Sequence, residues 1–542
     1  MPWRRVTIQA TVMALPVLFL AAFWAYPLAL IIQKIPLSGG VSQFGFFGTL
    51  QKVIRFTAWQ AALSTAAAVA LGLPMAYLWA HFDFRGKRWL QSLSLLPFIL
   101  PPVVVASSLQ ALWGERGWLG WALQSFGLVP WRLQGLAAII LAHVFYNVVI
   151  ISQLVSEFWQ RLPPQLQKSS ATLGANRWQT LQRVTIPFLL PALLNAGLLV
   201  FIFCWNAFGT VLLLGGVQYR TLEVEIYHQL LGFGNLPAAS SLALVQLLSS
   251  GLLLSLAAYS SHRLSNIWSL PATLPKPHLR RLGQRVAALV LVVIWCALLF
   301  APLLALVGRS FSELERGQWQ GWTLRHYTSL WQNERQSAFF TSPLFSTWYS
   351  LQTAAATTVL ALGLGIPTAA WLANRAKRWH WLESVLLLPL STSAVTVGLG
   401  ILLAYPSLRV SPWLLPLAHT LVAYPFVVRT LLPAWRSLRP QWQQAAATLG
   451  ASPFQIVRTI TLPLLRVAII NAARFAFCIS LGEFGATLLL SRPEYATLPT
   501  AIYQALSLPG GQHYGQALAL STLLMLACAI GTWGWQNLDP DD

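Results

Sequence analysis

The chain has 542 residues, of which 56% are apolar and only 9% charged, with a formal net charge of +21. Soluble domains carry roughly a quarter charged residues, so this composition excludes a water-exposed globule and indicates a polytopic membrane protein. In such a protein a basic excess collects on the cytoplasmic side and fixes topology; no basic tract with interleaved aromatics marks a nucleic-acid surface.

Arg4-Arg5 precede an apolar run over residues 10–32 with no convincing cleavage site after it. We read it as a retained first helix with its N-terminus in the cytoplasm. A spanning helix needs roughly 20 mainly apolar residues. On that rule the chain is all-α with about twelve spans. They centre near Phe19, Ala68, Pro101, Phe145, Val200 and Leu252, then near Val293, Leu360, Thr392, Val422, Phe477 and Met525. The basic stretches 85–88, 161–183, 263–285, 375–378 and 436–466 fall on the inner side of an even count, which places both termini inside. The longest polar insertion, 309–345, together with the start of the next span carries Trp319, Trp322, Trp331 and Trp348. Those rings read foremost as an interfacial aromatic belt, with a contact surface for a delivering protein as the second reading. Cys204, Cys296, Cys478 and Cys528 all lie in apolar segments, at spacings that suit neither a disulfide framework nor zinc. They read as small packing residues.

The two halves match. Ala142-His143 answers to Ala418-His419, Asn195 to Asn471, Phe208-Gly209 to Phe484-Gly485, and Ile226-Tyr227 to Ile502-Tyr503, all at one offset. Leu71-Gly72-Leu73-Pro74 answers to Leu364-Gly365-Ile366-Pro367 at a longer one. This is a parallel duplication of two six-helix repeats, 1–264 and 286–542, joined by a Pro- and Arg-rich cytoplasmic linker, 265–285.

The most informative stretch also occurs twice. Ala171-Thr172-Leu173-Gly174-Ala175 runs on to Pro187, and Ala447-Thr448-Leu449-Gly450-Ala451 runs on to Pro463, with the same glycine-to-proline distance. Gly174 and Gly450 suit the position after a helix C-terminus, where positive φ costs glycine little. Asn176 and Ser452 suit the N-cap of a following helix, with Gln179 and Gln455 completing a capping box. Pro453 fits the first helical position. Two short helices joined at a glycine elbow are predicted in each half.

This pair resembles the cytoplasmic EAA loop of ABC importer permeases, and the resemblance extends over nearly the whole chain. The family pattern has an acidic residue and two alanines before the glycine; here those places hold Lys168-Ser169-Ser170 and Gln444-Ala445-Ala446. The alanines stand only in the second copy and the acid in neither. The resemblance implies the fold of a type I importer permease and a coupling helix that docks on a separate ATPase. The residues it assigns to coupling are Ala171, Leu173, Gly174, Ala175, Ala445, Ala446, Leu449, Gly450 and Ala451.

Leu481-Gly482-Glu483-Phe484-Gly485 places a carboxylate inside an apolar segment, a costly arrangement that usually faces a cavity or a partner. The first half has Asn206-Ala207-Phe208-Gly209 there, so the charge is not duplicated. The stretch resembles the Gly-Glu-Phe-Gly segment of permeases for oxyanions, thiamine and related solutes, which implies a translocation path at Glu483, Phe484, Asn206 and Phe208. The alternative is a Glu held by backbone or an Arg near the outer end of its helix. Arg474, nine residues earlier, falls on the opposite helix face, since each residue turns about 100°. His143 and His419 read as satisfied packing histidines before path-lining ones. Asn195 and Asn471 are expected to make interhelical hydrogen bonds.

No Walker A pattern, nucleophile elbow, metal-ligand set or cluster of catalytic carboxylates is present, so the chain has no recognisable nucleotide site of its own; the resemblance implies a transport subunit and not an enzyme. The resemblance implies two copies of a cytoplasmic ATPase carrying ATP and magnesium, an extracytoplasmic solute-binding protein, and a location in the inner membrane. Thiamine or ferric iron leads the candidate solutes by analogy. Two rivals are an ion-coupled secondary transporter with parallel halves and a membrane-embedded transferase. The first needs intramembrane acids and leaves the paired elbows unexplained. The second needs an acidic or histidine cluster that is not seen.

Overall fold

The computed structural model describes residues 13–35, 43–114, 117–129, 133–268, 279, 281–315, 318–331, 342–373 and 380–532. The basic stretch 375–378 and most of the linker therefore lie outside the described residues, as does the side chain of Trp319. Among the described residues, ten helices are long and apolar enough to cross a membrane. They are α1 (Met13–Gln33), α2 (Gly48–His81), α3 (Leu136–Trp159), α4 (Trp178–Trp205), α5 (Leu236–Ser261), α6 (Leu282–Ser310), α7 (Pro343–Ala373), α8 (Leu414–Arg436), α9 (Pro453–Gly482) and α10 (Gly511–Gly531). The one sheet among the described residues is a small antiparallel hairpin in the long polar insertion, β1 (Ser312–Glu315) and β2 (Gln318–Trp322). Trp322, the last residue of β2, is exposed, as are Trp331 and, at the start of α7, Trp348.

The expected spans near Pro101 and Thr392 are not continuous helices. In the first, helix Lys87–Ile99 meets helix 102–125 at a bend of 106°. Leu100 and Pro101 there take extended backbone, ψ 141° and 145°. Proline lacks an N–H and disfavours helical geometry in the residue before it, so Leu100-Pro101-Pro102 stops one helix and starts another. In the second, a 3₁₀ turn at Leu388–Ser391 gives way to extended Thr392 and Ser393. The Ser393 side chain then caps helix Ala394–Ala404 by accepting from Thr396 N at 3.0 Å. Counting the bent pair as one, the described residues hold up to eleven spans.

The chain forms two compact units, Ser38–Leu324 and a second made of Met1–Leu37 with Arg325–Asp542. These cuts differ from the repeat boundaries at 1–264 and 286–542. The first helix of each repeat packs in the unit of the other repeat. Within the discontinuous unit, Trp24 Nε1 of α1 donates to Thr392 Oγ1 at 2.8 Å, and Tyr405 OH donates to the Ala22 carbonyl at 2.8 Å. Within the continuous unit, Trp295 of α6 stacks edge-on against Trp79, centroids 5.5 Å apart, and its Nε1 donates to Ser94 Oγ at 2.8 Å. Recognisable similarity between the halves begins at Leu71 and Leu364, so the repeat pattern is silent about these first helices.

Each unit has a core of closely packed helices. In the continuous unit Ala61, Ala68, Ala76 and Ala80 of α2 meet Ile151 and Val155 of α3 and Ala192 and Ala196 of α4. Small residues let backbones approach where lipid offers no hydrophobic drive for association. A Cβ on Gly72 would stand 2.9 Å from Ile151 Cβ. The matching Gly365 of α7 would drive its Cβ into Val427 of α8. The paired glycines therefore serve close packing in both units.

Candidate coupling elbows and translocation segments

Both elbows form as their local chemistry dictates. Helix Pro164–Thr172 ends at Leu173, and Gly174 takes φ 82°. Ala175 N bonds the Ser170 carbonyl at 3.0 Å and Gly174 N the Ala171 carbonyl at 3.0 Å, which is the Schellman pattern. Asn176 then closes a reciprocal box: its Oδ1 accepts from Gln179 N at 2.8 Å, and Gln179 Oε1 accepts from Asn176 N at 2.9 Å. The second copy repeats every step. Helix Pro440–Thr448 ends at Leu449, Gly450 takes φ 87°, and Ala451 N bonds the Ala446 carbonyl at 3.0 Å. Ser452 and Gln455 close their box at 3.3 and 2.8 Å.

The two arms of each elbow are tied, by Ser170 Oγ to Thr180 Oγ1 at 3.0 Å and by Gln443 Nε2 to Thr461 Oγ1 at 3.5 Å. Beyond each elbow the helix takes one π turn, Leu181–Thr185 and Val457–Thr461, and runs on through Pro187 or Pro463. The wide turn accommodates a proline that has no N–H to give the preceding turn. Pro187 sits inside α4 and Pro463 inside α9.

At the tips the side chains face outward. Leu173 is 87% and Leu449 88% exposed. Ala171, Gly174, Ala445 and Gly450 are also exposed, while Ala175, Ala446 and Ala451 are half-buried against the following arm. Lys168 and Gln444, at the place of the family's acid, are exposed, and both elbows close without a carboxylate there. Sequence reasoning passed over Trp178 and Phe454, one turn beyond each glycine and at matched positions, which are 63% and 72% exposed. Their signal was an aromatic residue at the same offset in an otherwise polar stretch. Each elbow thus presents an exposed leucine and an exposed aromatic ring on a preformed knob, and aromatic rings are enriched at protein interfaces.

The segment at Glu483 lies where α9 ends and helix Gly485–Leu490 begins. The Glu483 carboxylate is buried and accepts from Ala486 N at 3.0 Å, Thr487 N at 2.9 Å and Thr487 Oγ1 at 2.7 Å. It caps the new helix, and His419 Nε2 stands 3.4 Å away. Phe484 is buried and packs edge-on against Tyr503, centroids 5.6 Å apart. Phe208 makes the matched contact with Tyr227 at 5.7 Å, in front of helix Gly209–Leu214. Asn206 is half-buried; its Oδ1 accepts from Gln246 Nε2 and Ser250 Oγ, both at 2.7 Å.

Gln246 also reaches a carboxylate that sequence reasoning missed, Glu223 Oε1 at 3.1 Å. Glu223 and Glu225 are both buried in helix Leu222–Tyr227, and Glu225 Oε1 accepts from Gln229 Nε2 at 2.6 Å while Arg220 lies 3.5 Å from its Oε2. The first half therefore does carry buried carboxylates near its broken helix; it supplies them from the next helix along. Pro499 and Ala501 occupy the matched positions of the second half.

The remaining intramembrane polar residues are placed as follows. His143 bonds Ser64 Oγ at 3.1 Å and Thr210 Oγ1 at 3.4 Å; His419 bonds Ser480 Oγ and Thr487 Oγ1, each at 2.8 Å. Both are satisfied packing histidines tying the short helix to its neighbours. Asn195 accepts from Ser261 of α5 at 3.0 Å, an interhelical bond. Asn471 differs: its Oδ1 is buried without a hydrogen-bond partner, as is Nη1 of Arg474 one turn on. None of Cys204, Cys296, Cys478 and Cys528 is in a disulfide.

Comparison with known proteins places this arrangement. The model of the binding-protein-dependent transport system inner membrane component matches the chain twice, over residues 68–266 and 361–541. The chain is 28% identical to a thiamine transport system permease protein of Haemophilus influenzae over 501 residues, covering 89% of this chain and 87% of that protein. It is 28% identical to the thiamine transport system permease protein of Escherichia coli over 499 residues, covering 88% and 87%. A putative 2-aminoethylphosphonate transport system permease protein of Salmonella paratyphi A is 29% identical over 259 residues, which is 45% of this chain and 93% of that protein. Half of this chain thus corresponds to one whole permease of the shorter kind, and the chain belongs, as a fused pair of repeats, to the binding-protein-dependent transport system inner membrane components.

Proposed function

We propose that this multi-pass inner-membrane permease carries thiamine inward, driven by ATP hydrolysed on a separate subunit. The observation that carries the coupling role is the duplicated elbow, with Leu173 and Trp178 on one tip and Leu449 and Phe454 on the other exposed for a partner. Two ATPase subunits, each seating one elbow, close on ATP and move the two tips, switching the path from inward-facing to outward-facing. ATP and magnesium belong to those subunits. A solute-binding protein delivers cargo from outside, and both termini lie in the cytoplasm. The thiamine assignment is supported by relatives that match over nearly nine-tenths of both chains. We place the solute path at the broken helices around Asn206, Phe208, Glu483 and Phe484, because helix breaks at membrane depth are tolerated where they are buried in protein or line a cavity.

The test is uptake into proteoliposomes holding the chain, its ATPase and its binding protein. Thiamine uptake should require ATP and survive an ionophore. Uptake that collapses with the ion gradient while ATP is present would instead identify an ion-coupled carrier. A thermal-shift screen of the binding protein against thiamine, ferric iron and oxyanions decides the solute; stabilisation by iron or an oxyanion and not by thiamine would reject the assignment.

A further inference from the structure

A groove of about 410 Å³ lies between the turn that follows α2 and the first turns of α6. Its walls are apolar, from Phe84, Leu90, Leu289 and Val292, and its rim carries Arg85 and Arg285. The groove sits where two candidate spans reach their polar ends, α2 ending at His81 and α6 beginning at Leu282. Charge there is strongly one-sided. Residues 83–88 and 279–285 contain Arg85, Lys87, Arg88, Arg280, Arg281 and Arg285 against the single acid Asp83. Lys87 is turned inward, its Nζ donating to the Trp79 and Phe82 carbonyls, both at 2.7 Å, which leaves the rim charge to the arginines. Arg285 Nε donates to the Leu279 carbonyl at 3.0 Å, which orients its guanidinium along the rim. Outside the groove, α6 continues the same apolar surface through exposed Val286 and Val290.

We propose that this groove binds an anionic phospholipid, its phosphate between Arg85 and Arg285 and one acyl chain against Leu90, Leu289 and Val292. Guanidinium groups hold phosphate oxygens through paired N–H bonds, and basic pockets between spanning helices at the cytoplasmic surface take acidic headgroups. A free phosphate would use the arginines and leave the apolar wall uncovered; a zwitterionic lipid carries the same phosphate but sets its own cation among the basic residues. An acidic lipid covers the wall and brings a net negative charge to the arginines.

Native mass spectrometry of the detergent-solubilised full chain, titrated with phosphatidylglycerol or with phosphatidylcholine of the same acyl chains, tests this. Phosphatidylglycerol should be retained preferentially. Replacing both arginines (Arg85→Gln with Arg285→Gln) should weaken its retention about thirtyfold, at roughly a factor of five for each charge. Arg409→Gln, at an exposed arginine elsewhere, should change nothing. A phosphatidylglycerol with a photoreactive acyl chain should label the peptide containing Leu289 and Val292, and Leu289→Trp, which fills the groove, should abolish that label even if the double arginine variant fails to fold. Equal retention of the two lipids, undiminished phosphatidylglycerol in the arginine variant, displacement by inorganic phosphate alone, or labelling confined to other helices would each overturn the proposal.

Discussion

Replacing Gly450 by valine should loosen the grip of the ATPase without touching the membrane-embedded core. Gly450 has φ 87°, a conformation that costs an L-residue roughly 1–2 kcal/mol and is worst for a β-branched side chain. A Cβ there would meet nothing within 4 Å, so no clash adds to the backbone strain and no packing offsets it. The elbow is closed by the bonds from Gly450 N to Ala447 O at 3.1 Å and from Ala451 N to Ala446 O at 3.0 Å. Such bonds contribute about 1 kcal/mol each in net terms. The strain is therefore of the same size as the closure, and the closed elbow should lose population by a factor of about five to thirty. The assay is the affinity of the purified permease for its ATPase, measured by biolayer interferometry on nanodisc-held protein. Valine should bind weakest, alanine next and asparagine closest to wild type, because asparagine tolerates left-handed backbone. Gly251→Val, in the middle of α5 with equally open space and no positive φ, is the control and should bind normally. Wild-type affinity for the valine variant, or asparagine as weak as valine, would refute the reasoning.

Leu173→Ala combined with Leu449→Ala should weaken ATPase binding by about tenfold or more per elbow, since burying a leucine contributes about 1.5–3 kcal/mol. The same pair should leave the melting temperature of the isolated permease unchanged, because both side chains are exposed. Glu483→Ala should destabilise the permease by about 1.5–3 kcal/mol through loss of a charged helix cap, read as a lower midpoint in thermal unfolding; Glu483→Gln should lose less. Gly365→Leu should overpack α7 against Val427 and cost about 1–3 kcal/mol by the same measurement, whereas Gly363→Leu, whose Cβ meets nothing within 4 Å, should be tolerated.

Much of the candidate coupling site was legible because its determinants are local. A helix stop at Gly174 or Gly450 and the capping boxes at Asn176–Gln179 and Ser452–Gln455 involve residues no more than five apart, so spacing alone specifies the geometry. The tip aromatics Trp178 and Phe454 were visible in the same offset, but their exposure is a property of the folded elbow. At the candidate path the sequence singled out Glu483, whose bonds reach only to Ala486 and Thr487, but not the helix breaks at Asn206–Phe208 and Glu483–Phe484. It missed Glu223, because the contact that joins it to Asn206 runs through Gln246, forty residues along the chain from Asn206.

The sequence by itself determined the membrane class, through the scarcity of charge, and the duplication, through matched residues at a fixed offset. It also determined the elbows, whose glycine and capping chemistry needs no distant partner. Tertiary structure alone decided that α1 packs beside Thr392 and Tyr405 and α6 beside Trp79 and Ser94. It also decided the 106° bend between the helices that meet at Leu100–Pro102. An apolar run long enough to span looks the same whichever neighbour it packs against, because lipid and protein interior are equally apolar. Its position is set by shape, by small residues that admit a facing helix, and by single hydrogen bonds between residues hundreds apart in the chain.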